Sequence, residues 1–103
     1  MKRGEVRWYR FEAPDKRRPV VILTRDAILD HLGEVTVAPI TSTVRDIPTE
    51  VVLGPTDGMQ RVCAVNLDHV QTVAKARVGS LITLLEPQRM TEIRAALLFA
   101  LGW

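Results

Sequence analysis

The amino-acid sequence predicts a mainly β domain with one C-terminal α-helix, and two patterns lead to this prediction. Short β-branched or apolar runs recur along most of the chain, separated by Gly, Pro and Asp turn signals. After residue 86 the period changes to that of one helix face, with apolar side chains at Met90, Ile93, Leu97 and Leu101. We therefore expect about six short strands and one packed helix, in a strongly curved, barrel-like sheet.

Length and composition bound the class of protein. We expect residues 1–103 to form one domain, and an apolar content of 47% argues for a core and against disorder. No apolar run reaches the roughly 18 residues of a membrane-spanning helix, and no apolar segment follows residues 1–5 as in a secretory signal. One cysteine, Cys63, and two scattered histidines do not form a metal set. We expect a cytoplasmic protein without metal, cofactor or membrane contact.

The first two predicted strands flank a short polar link. Residues 6–11 alternate and are rich in β-branched and aromatic side chains, which is typical of a half-buried strand. Pro14-Asp15 is a turn signal in the link. Residues 19–23 form a continuous apolar run, which predicts a strand buried on both faces, and Pro19 can begin it without losing a ladder hydrogen bond.

The middle of the chain predicts one short helix and further strands. Residues 26–33 are expected to form one or two helical turns, with Asp26 as N-cap and Gly33 at the end. A strand over residues 34–40 stops at Thr41-Ser42-Thr43. Further short strands are predicted over residues 50–53, 62–67 and 78–85, with residues 71–73 continuing the second of these after a bend at 68–69.

The C-terminal helix has clear boundaries. Pro87 suits the first helical position and Gly102 suits the stop. Leu98 and Phe99 widen the apolar stripe beyond what one small sheet covers. This excess indicates either a subunit interface or a deep groove on the sheet that absorbs the extra side chains.

The basic residues are mostly arginine. The net charge is only +2, but eleven of the 14 basic residues are arginine and three are lysine. Arginine suits bidentate phosphate contacts and stacking on bases, although a general codon bias produces the same excess. Composition therefore permits a nucleic-acid ligand without proving one.

Two short clusters stand at the ends of neighbouring predicted strands. Lys16-Arg17-Arg18 opens the strand over residues 19–23, and Thr41-Ser42-Thr43 closes the strand over residues 34–40. If the sheet pairs these strands, a guanidinium and a hydroxyl face one ligand, which we expect to be anionic.

Four motifs in chain order resemble the MazF/PemK toxins of toxin–antitoxin pairs: KRGEVRW from Lys2, RPVV from Arg18, VAPITS from Val37 and NLDHVQTV from Asn66. The resemblance implies an SH3-like small barrel with a C-terminal helix, the fold shared with CcdB-type toxins, built as a homodimer. It also implies a metal-independent endoribonuclease that cuts single-stranded mRNA at a short sequence. Its implied partner is an antitoxin that lays an extended acidic segment across the RNA groove.

The chemistry of such a site needs few protein groups. When the ribose 2′-OH is the nucleophile, the protein must stabilise a dianionic, phosphorane-like transition state and move two protons. The resemblance implies that Arg18 is the catalytic arginine and that Thr41 hydrogen-bonds the scissile phosphate. Asp68 occupies a position where some members carry a catalytic aspartate, although it would equally cap a turn.

The chain departs from the family pattern in two places. The arginine that precedes the aspartate by two positions in some members is Asn66 here. The longer Gly-x-Glu-Gln segment before Arg-Pro is also missing, so proton transfer stays open among Asp15, Asp68 and His69. Further RNA contacts are predicted at Arg17, Arg25, Ser42, Thr43, Arg45, Asn66 and His69.

Two alternative functions remain at this stage. A CcdB-like gyrase poison needs a tryptophan near the C-terminus, and Trp103 ends this chain. A catalytically inert RNA-binding barrel would explain Asn66 and the missing loop glutamate. Trp8 is assigned to core and dimer packing, and Cys63 to a buried apolar position.

Overall fold

A computed structural model describes residues 1–12 and 17–103. The turn expected at Pro14-Asp15, and Asp15 as a proton-transfer candidate, lie outside the described residues. The described strands are β1 (Glu5–Arg10), β2 (Arg17–Ile22), β3 (Glu34–Thr41), β4 (Glu50–Leu53), β5 (Cys63–Asn66), β6 (Gln71–Ala74) and β7 (Val78–Leu84). The helices are α1 (Asp26–Leu29) and α2 (Pro87–Ala100), with three-residue 3-10 turns at Pro55–Asp57, Leu67–His69 and Lys75–Arg77.

Strand β3 is the centre of an open, antiparallel sheet. The hydrogen-bonded order of the strands is β4-β5-β3-β2-β1-β7, and β6 also pairs with β3. On one edge β3 pairs with β2, while the other edge pairs with β6 in its first half and with β5 at its end. Strands β4 and β7 end the sheet without pairing with each other, so the fold is barrel-like but not closed.

The predicted strands and C-terminal helix are confirmed, with one more strand than expected. The bend expected at residues 68–69 is the 3-10 turn Leu67–His69, which separates β5 from β6. Each of these strands therefore hydrogen-bonds a different half of β3. Seven strands result where the sequence predicted about six.

The predicted ends of α1 were wrong. Arg25, and not Asp26, is the N-cap residue, and the Asp26 carboxylate accepts a hydrogen bond from the backbone N–H of Arg3 at 2.6 Å. Asp26 instead lies in the first turn of the helix, and no side-chain hydrogen bond caps the N-terminus. The helix also ends at Leu29 with Asp30 as C-cap, before Gly33.

The ends of α2 are as predicted. Pro87 occupies the first turn, and Gly102 follows the C-cap with φ 81°. The N–H groups of Gly102 and Trp103 donate to the carbonyls of Phe99 (3.1 Å) and Leu98 (2.8 Å), so the last turn is closed by a Schellman motif.

Both faces of the central strands are buried. Val21, Ile40 and Ile93 belong to a core cluster that packs the sheet against α2. Val20 and Val37 belong to a second cluster on the opposite face. The continuous apolar run of β2 is therefore explained, because consecutive side chains enter different cores.

The turn over residues 54–58, called here the Asp57 turn, is tied to both β7 and α2. Thr83 Oγ1 donates to the Asp57 carbonyl at 3.1 Å, and Arg89 Nε donates to Asp57 Oδ1 at 2.9 Å. Asp57 Oδ2 accepts the Gly54 N–H at 2.9 Å. The hydrogen bond from Arg89 holds the pKa of Asp57 below its ordinary value, against the opposing effect of burial.

The contacts of the Asp57 turn predict that the fold depends on the glycine at position 58. Gly58 has φ 94°, and a Cβ there would lie 2.4 Å from Thr83 Oγ1. We expect Gly58→Ala to lower the free energy of unfolding by about 2 kcal/mol or more, measured by urea denaturation. Gly33→Ala is the matched control, because nothing lies within 4 Å of its Cβ position. Equal denaturation midpoints for the two variants would contradict this account of the turn.

Candidate functional site

The β2–β3 register brings Arg18 and Thr41 to the same end of the sheet. The ladder pairs Val20 with Pro39 and Val21 with Ala38. The paired register ends at Val20 and Pro39, and two residues beyond it lie Arg18, near the start of β2, and Thr41, at the end of β3. Arg18 is exposed and forms no ion pair with another described residue. The two residues therefore lie at the same end of the sheet, as the predicted pair requires, but Arg18 is not among the residues that line the groove beside Thr41. A shared ligand and the roles of the two residues stay predictions.

A groove of about 430 Å³ lies beside Thr41. Strands β1, β2 and β3 contribute Trp8, Pro19, Ile40 and Thr41 to its lining, and Ser42 adds a second hydroxyl. The remaining lining comes from residues 59–61, from Cys63 and from Leu81 and Ile82 of β7. This lining combines apolar surface, hydroxyl groups and one cation, Arg61, as a site for a nucleotide requires.

Arg17 and Trp8 form a stacked pair at this groove. The guanidinium carbon of Arg17 lies 4.4 Å from the centroid of the Trp8 ring. Trp8 is half-buried and pairs with Pro19 across the strands. Because side chains alternate along β2, Arg17 and Pro19 share one face, and Arg18 points to the other.

The sequence reasoning assigned Trp8 to packing alone and did not recognise it as a groove residue. The alternation of side chains along β2 was the available signal for this pair. It places Arg17 on the same face as Pro19, and Pro19 pairs with Trp8 of β1.

The loop after Thr41 is held by a buried glutamate that the sequence reasoning missed. Glu50 Oε1 accepts the backbone N–H of Arg45 at 2.9 Å, and the Arg45 guanidinium lies 3.6 Å from Glu50 Oε2. The Glu50 side chain is only 1% exposed. Within the loop, Thr41 Oγ1 accepts the N–H of Thr43 at 3.1 Å. Arg45 and Thr43 are thereby tethered near the end of β3.

Asp68 lies apart from the Arg18–Thr41 pair. Thr41 pairs with Ala64, whereas Asp68 follows the opposite end of β5. Its carboxylate accepts a hydrogen bond from Thr49 Oγ1 at 2.6 Å, and its backbone N–H donates to Asn66 Oδ1 at 3.0 Å. No hydrogen bond joins Asp68 to Arg18 or Thr41 in the part of the chain that the structure describes. Its environment is that of a capped turn.

Two other predicted RNA contacts are also distant from Thr41. His69 is exposed in the same 3-10 turn as Asp68. Arg25 lines a separate open depression of about 560 Å³ with Arg3 and Thr36. Thr36 lies five residues before Thr41 on β3, so Arg25 is near the opposite end of the strand.

Cys63 is a buried thiol in the lining of the groove. It is 5% exposed, and burial raises its pKa above the ordinary value. A protonated, buried thiol is a poor nucleophile, which fits the predicted packing role. Among residues 1–12 and 17–103 no group of three or more His, Cys, Asp or Glu side chains is arranged to hold a metal ion. The described helices are also too short or too polar to cross a membrane.

Solved structures with this architecture define the class of protein. The chain superimposes on Mycobacterium tuberculosis toxin MazF-mt6 with a TM-score of 0.87 and 35% identity, covering 95% of this chain and 96% of that one. A mycobacterial endoribonuclease in complex with its cognate antitoxin gives a TM-score of 0.87 at 31% identity, covering 99% and 95%. The fold is therefore that of the toxins of toxin–antitoxin pairs.

Sequence comparison specifies the family. The model of the PemK-like, MazF-like toxin of type II toxin–antitoxin systems matches residues 2–101. Endoribonuclease MazF3 of M. tuberculosis is 41% identical over 93 residues, covering 86% of this chain and 88% of the relative. Probable endoribonuclease MazF5 of M. tuberculosis is 45% identical over 96 residues, covering 92% and 87%. The chain belongs to the PemK/MazF toxin family, as the motif resemblance predicted.

Proposed function

We propose that this protein is the toxin of a type II toxin–antitoxin system and cleaves single-stranded mRNA at a short sequence, without a metal ion. Family membership and the endoribonucleases among its relatives support the enzyme class. The β2–β3 ladder, which brings the start of β2 and the end of β3 to the same end of the sheet, is the observation that supports a site at Arg18 and Thr41. Cleavage of mRNA in the cytoplasm would stop translation and growth.

The proposed reaction uses the RNA as its own nucleophile. The 2′-OH attacks the adjacent phosphorus, and the 5′-oxygen of the next nucleotide leaves. Arg18 places a fixed positive charge beside the dianionic transition state. Thr41 Oγ1 accepts the Thr43 N–H, so its own hydrogen is free to donate to a phosphate oxygen.

The groups that move protons remain to be assigned between Asp68 and His69 among the described candidates. Both are exposed at the end of β5 that is distant from Thr41. We propose that Asp68 acts on the reaction only if RNA binding brings the Leu67–His69 turn toward the phosphate. Its hydrogen bond from Thr49 otherwise gives it a structural role.

The other proposed RNA contacts fall into two sets by their position. Arg17, Ser42, Thr43 and Arg45 lie at the open end of β2 and β3, or in the loop that follows, and contact the nucleotides next to the cleaved bond. Arg25, Asn66 and His69 form the distant set. These three residues contact only an RNA that is long enough to extend past the first set.

We propose that a cognate antitoxin inhibits the toxin by occupying the same groove. Structures similar to this chain include a MazE–MazF complex from Deinococcus radiodurans, with a TM-score of 0.83 at 26% identity over 99% of this chain and 96% of that one. Arg61 lines the groove and Arg17 stacks on Trp8, which also lines it, so two cations stand at or beside the groove. An extended acidic segment would match this charge and exclude RNA.

We propose that the protein is a homodimer that associates through α2 and the open edge of β4. Phe99 is 61% exposed and Val52 is 36% exposed, and both line one depression of about 530 Å³. Strand β4 pairs only with β5, so its outer edge is free in the described chain. An exposed apolar helix face beside an open strand edge is typical of a subunit interface. Of the two explanations that the sequence allows for the wide apolar stripe of α2, this proposal takes the subunit interface.

Arg18 and Thr41 provide the test of the proposed cleavage. With a long single-stranded RNA in EDTA, we expect the wild-type protein to cut and Arg18→Ala to lower kcat by about 10²-fold or more. Thr41→Ala should also lose turnover, while both variants keep most of their RNA affinity. Arg94→Ala, which removes an exposed arginine of α2, is the control and should cut like the wild type.

Two results would contradict the nuclease and favour the alternatives. Inhibition of DNA gyrase by a wild-type protein that leaves RNA intact would identify a CcdB-like toxin. RNA binding without any cleavage would identify an inert RNA-binding barrel.

The proposed interface predicts an effect on assembly. Phe99→Glu should shift the protein from dimer to monomer in sedimentation velocity at micromolar concentration, because it buries a charge in an apolar contact. Arg94→Glu introduces the same side chain about 140° around the helix and should leave the dimer intact. A dimer that survives Phe99→Glu would place the interface elsewhere.

A further inference from the structure

One part of the groove lining has no regular secondary structure. Met59, Gln60 and Arg61 follow directly after the Asp57 turn and precede β5. Met59 is buried, whereas Gln60 and Arg61 are exposed. Met59 is held by its packing in the core and by the hydrogen bond from its N–H to the Gly54 carbonyl at 3.4 Å, and the exposed Gln60 and Arg61 follow from it. The position of this segment therefore depends in part on how the Asp57 turn is held.

Helix α2 holds the Asp57 turn through a forked ion pair. Arg89 Nε lies 2.9 Å from Asp57 Oδ1, and an Nη lies 3.3 Å from Oδ2. The other Nη donates to Glu92 Oε1 at 2.9 Å, which orients the guanidinium. The Asp57 side chain is 8% exposed and that of Arg89 is 30% exposed. A bidentate, partly buried pair restrains geometry more strongly than an exposed one.

Arg89 acts from outside the groove. It lines the depression that contains Phe99 and Val52, and it does not line the groove beside Thr41. Within one chain, the contact of Arg89 with the groove wall therefore runs through Asp57 and residues 59–61. Because Arg89 also lines the proposed subunit interface, sedimentation velocity of each Arg89 variant separates this effect from a loss of the dimer.

We propose that Arg89 is a positioning residue for substrate selection: through Asp57 it fixes residues 59–61 and so sets which nucleotide fits the groove beside Thr41. This inference rests on the proposed cleavage of RNA in that groove. Gln60 and Arg61 supply the amide and guanidinium groups that can hydrogen-bond the edge of a base. When residues 59–61 are held in one position, the groove accepts fewer different bases than when these residues are free to move.

The two parts of the site should respond differently when this ion pair is removed. Arg18 pairs with Tyr9 of β1 and Thr41 pairs with Ala64 of β5, and neither pairing involves the Asp57 turn. Turnover of bound RNA should therefore persist. Binding and discrimination should weaken, because they depend on residues 59–61.

The test compares Arg89→Gln and Arg89→Lys with Arg94→Gln as the matched control on the same helix. The 5′ ends of a long RNA cut by each variant are sequenced, and kcat and KM are measured on a short RNA that contains the preferred site. We expect Arg89→Gln to raise KM about 5- to 30-fold with little change in kcat, and to cut at additional sequences. Arg89→Lys should be intermediate, because it keeps the charge and loses the fork. Arg94→Gln should match the wild type.

Amide hydrogen exchange tests the same proposal without RNA. Amides 58–61 should exchange faster in Arg89→Gln than in the wild type, while the amides of β3 keep their rates. Unchanged KM and cleavage sites in a cutting protein, or unchanged exchange at 58–61, would overturn the positioning role. If Arg89→Gln does not fold, Asp57→Asn is measured in its place with the same criteria. A wild type that cuts no RNA would contradict the proposed function, and the exchange rates would still decide the positioning role.

Discussion

The register between β2 and β3 is the constraint on which the rest of the molecule depends. Val20 and Val21 enter different cores, so a slip of one residue would exchange the two faces and expose apolar side chains to the wrong surroundings. Hydrophobic burial thus fixes the register strongly. The same register brings Arg18 and Thr41 to one end of the sheet, so the position of the candidate site depends on the packing of the core.

Helix α2 connects the proposed functions of the toxin. Ile93 packs into the core beneath the sheet, Arg89 holds the Asp57 turn, and Phe99 faces outward beside the open edge of β4. In this proposal, β2 supplies the guanidinium of Arg18 and β3 supplies the hydroxyl of Thr41. Helix α2 positions residues 59–61 of the groove and offers a surface for a second copy of the chain. Catalysis and substrate selection would then be separable by mutation, because they depend on different elements.

Local patterns predicted the strands and the long helix, although β2 begins at Arg17, two residues before the predicted start at Pro19. The Arg18–Thr41 pair stays a prediction. Contacts between distant segments could not be predicted in this way. Asp57 and Arg89 are 32 positions apart, and their meeting depends on how α2 packs against the sheet. The hydrogen bond from the N–H of Arg3 to the Asp26 carboxylate, 23 positions away, could not be predicted for the same reason.

The central claim is that the RNA supplies the nucleophile and that Arg18 and Thr41 only stabilise the charge that develops. The most direct measurement is cleavage, in EDTA, of an RNA that carries a single 2′-deoxynucleotide at the cut position. The account predicts that this substrate binds as well as the all-RNA strand and is not cut, and that the all-RNA product ends in a 2′,3′-cyclic phosphate. Cleavage of the 2′-deoxy substrate at an ordinary rate would contradict it.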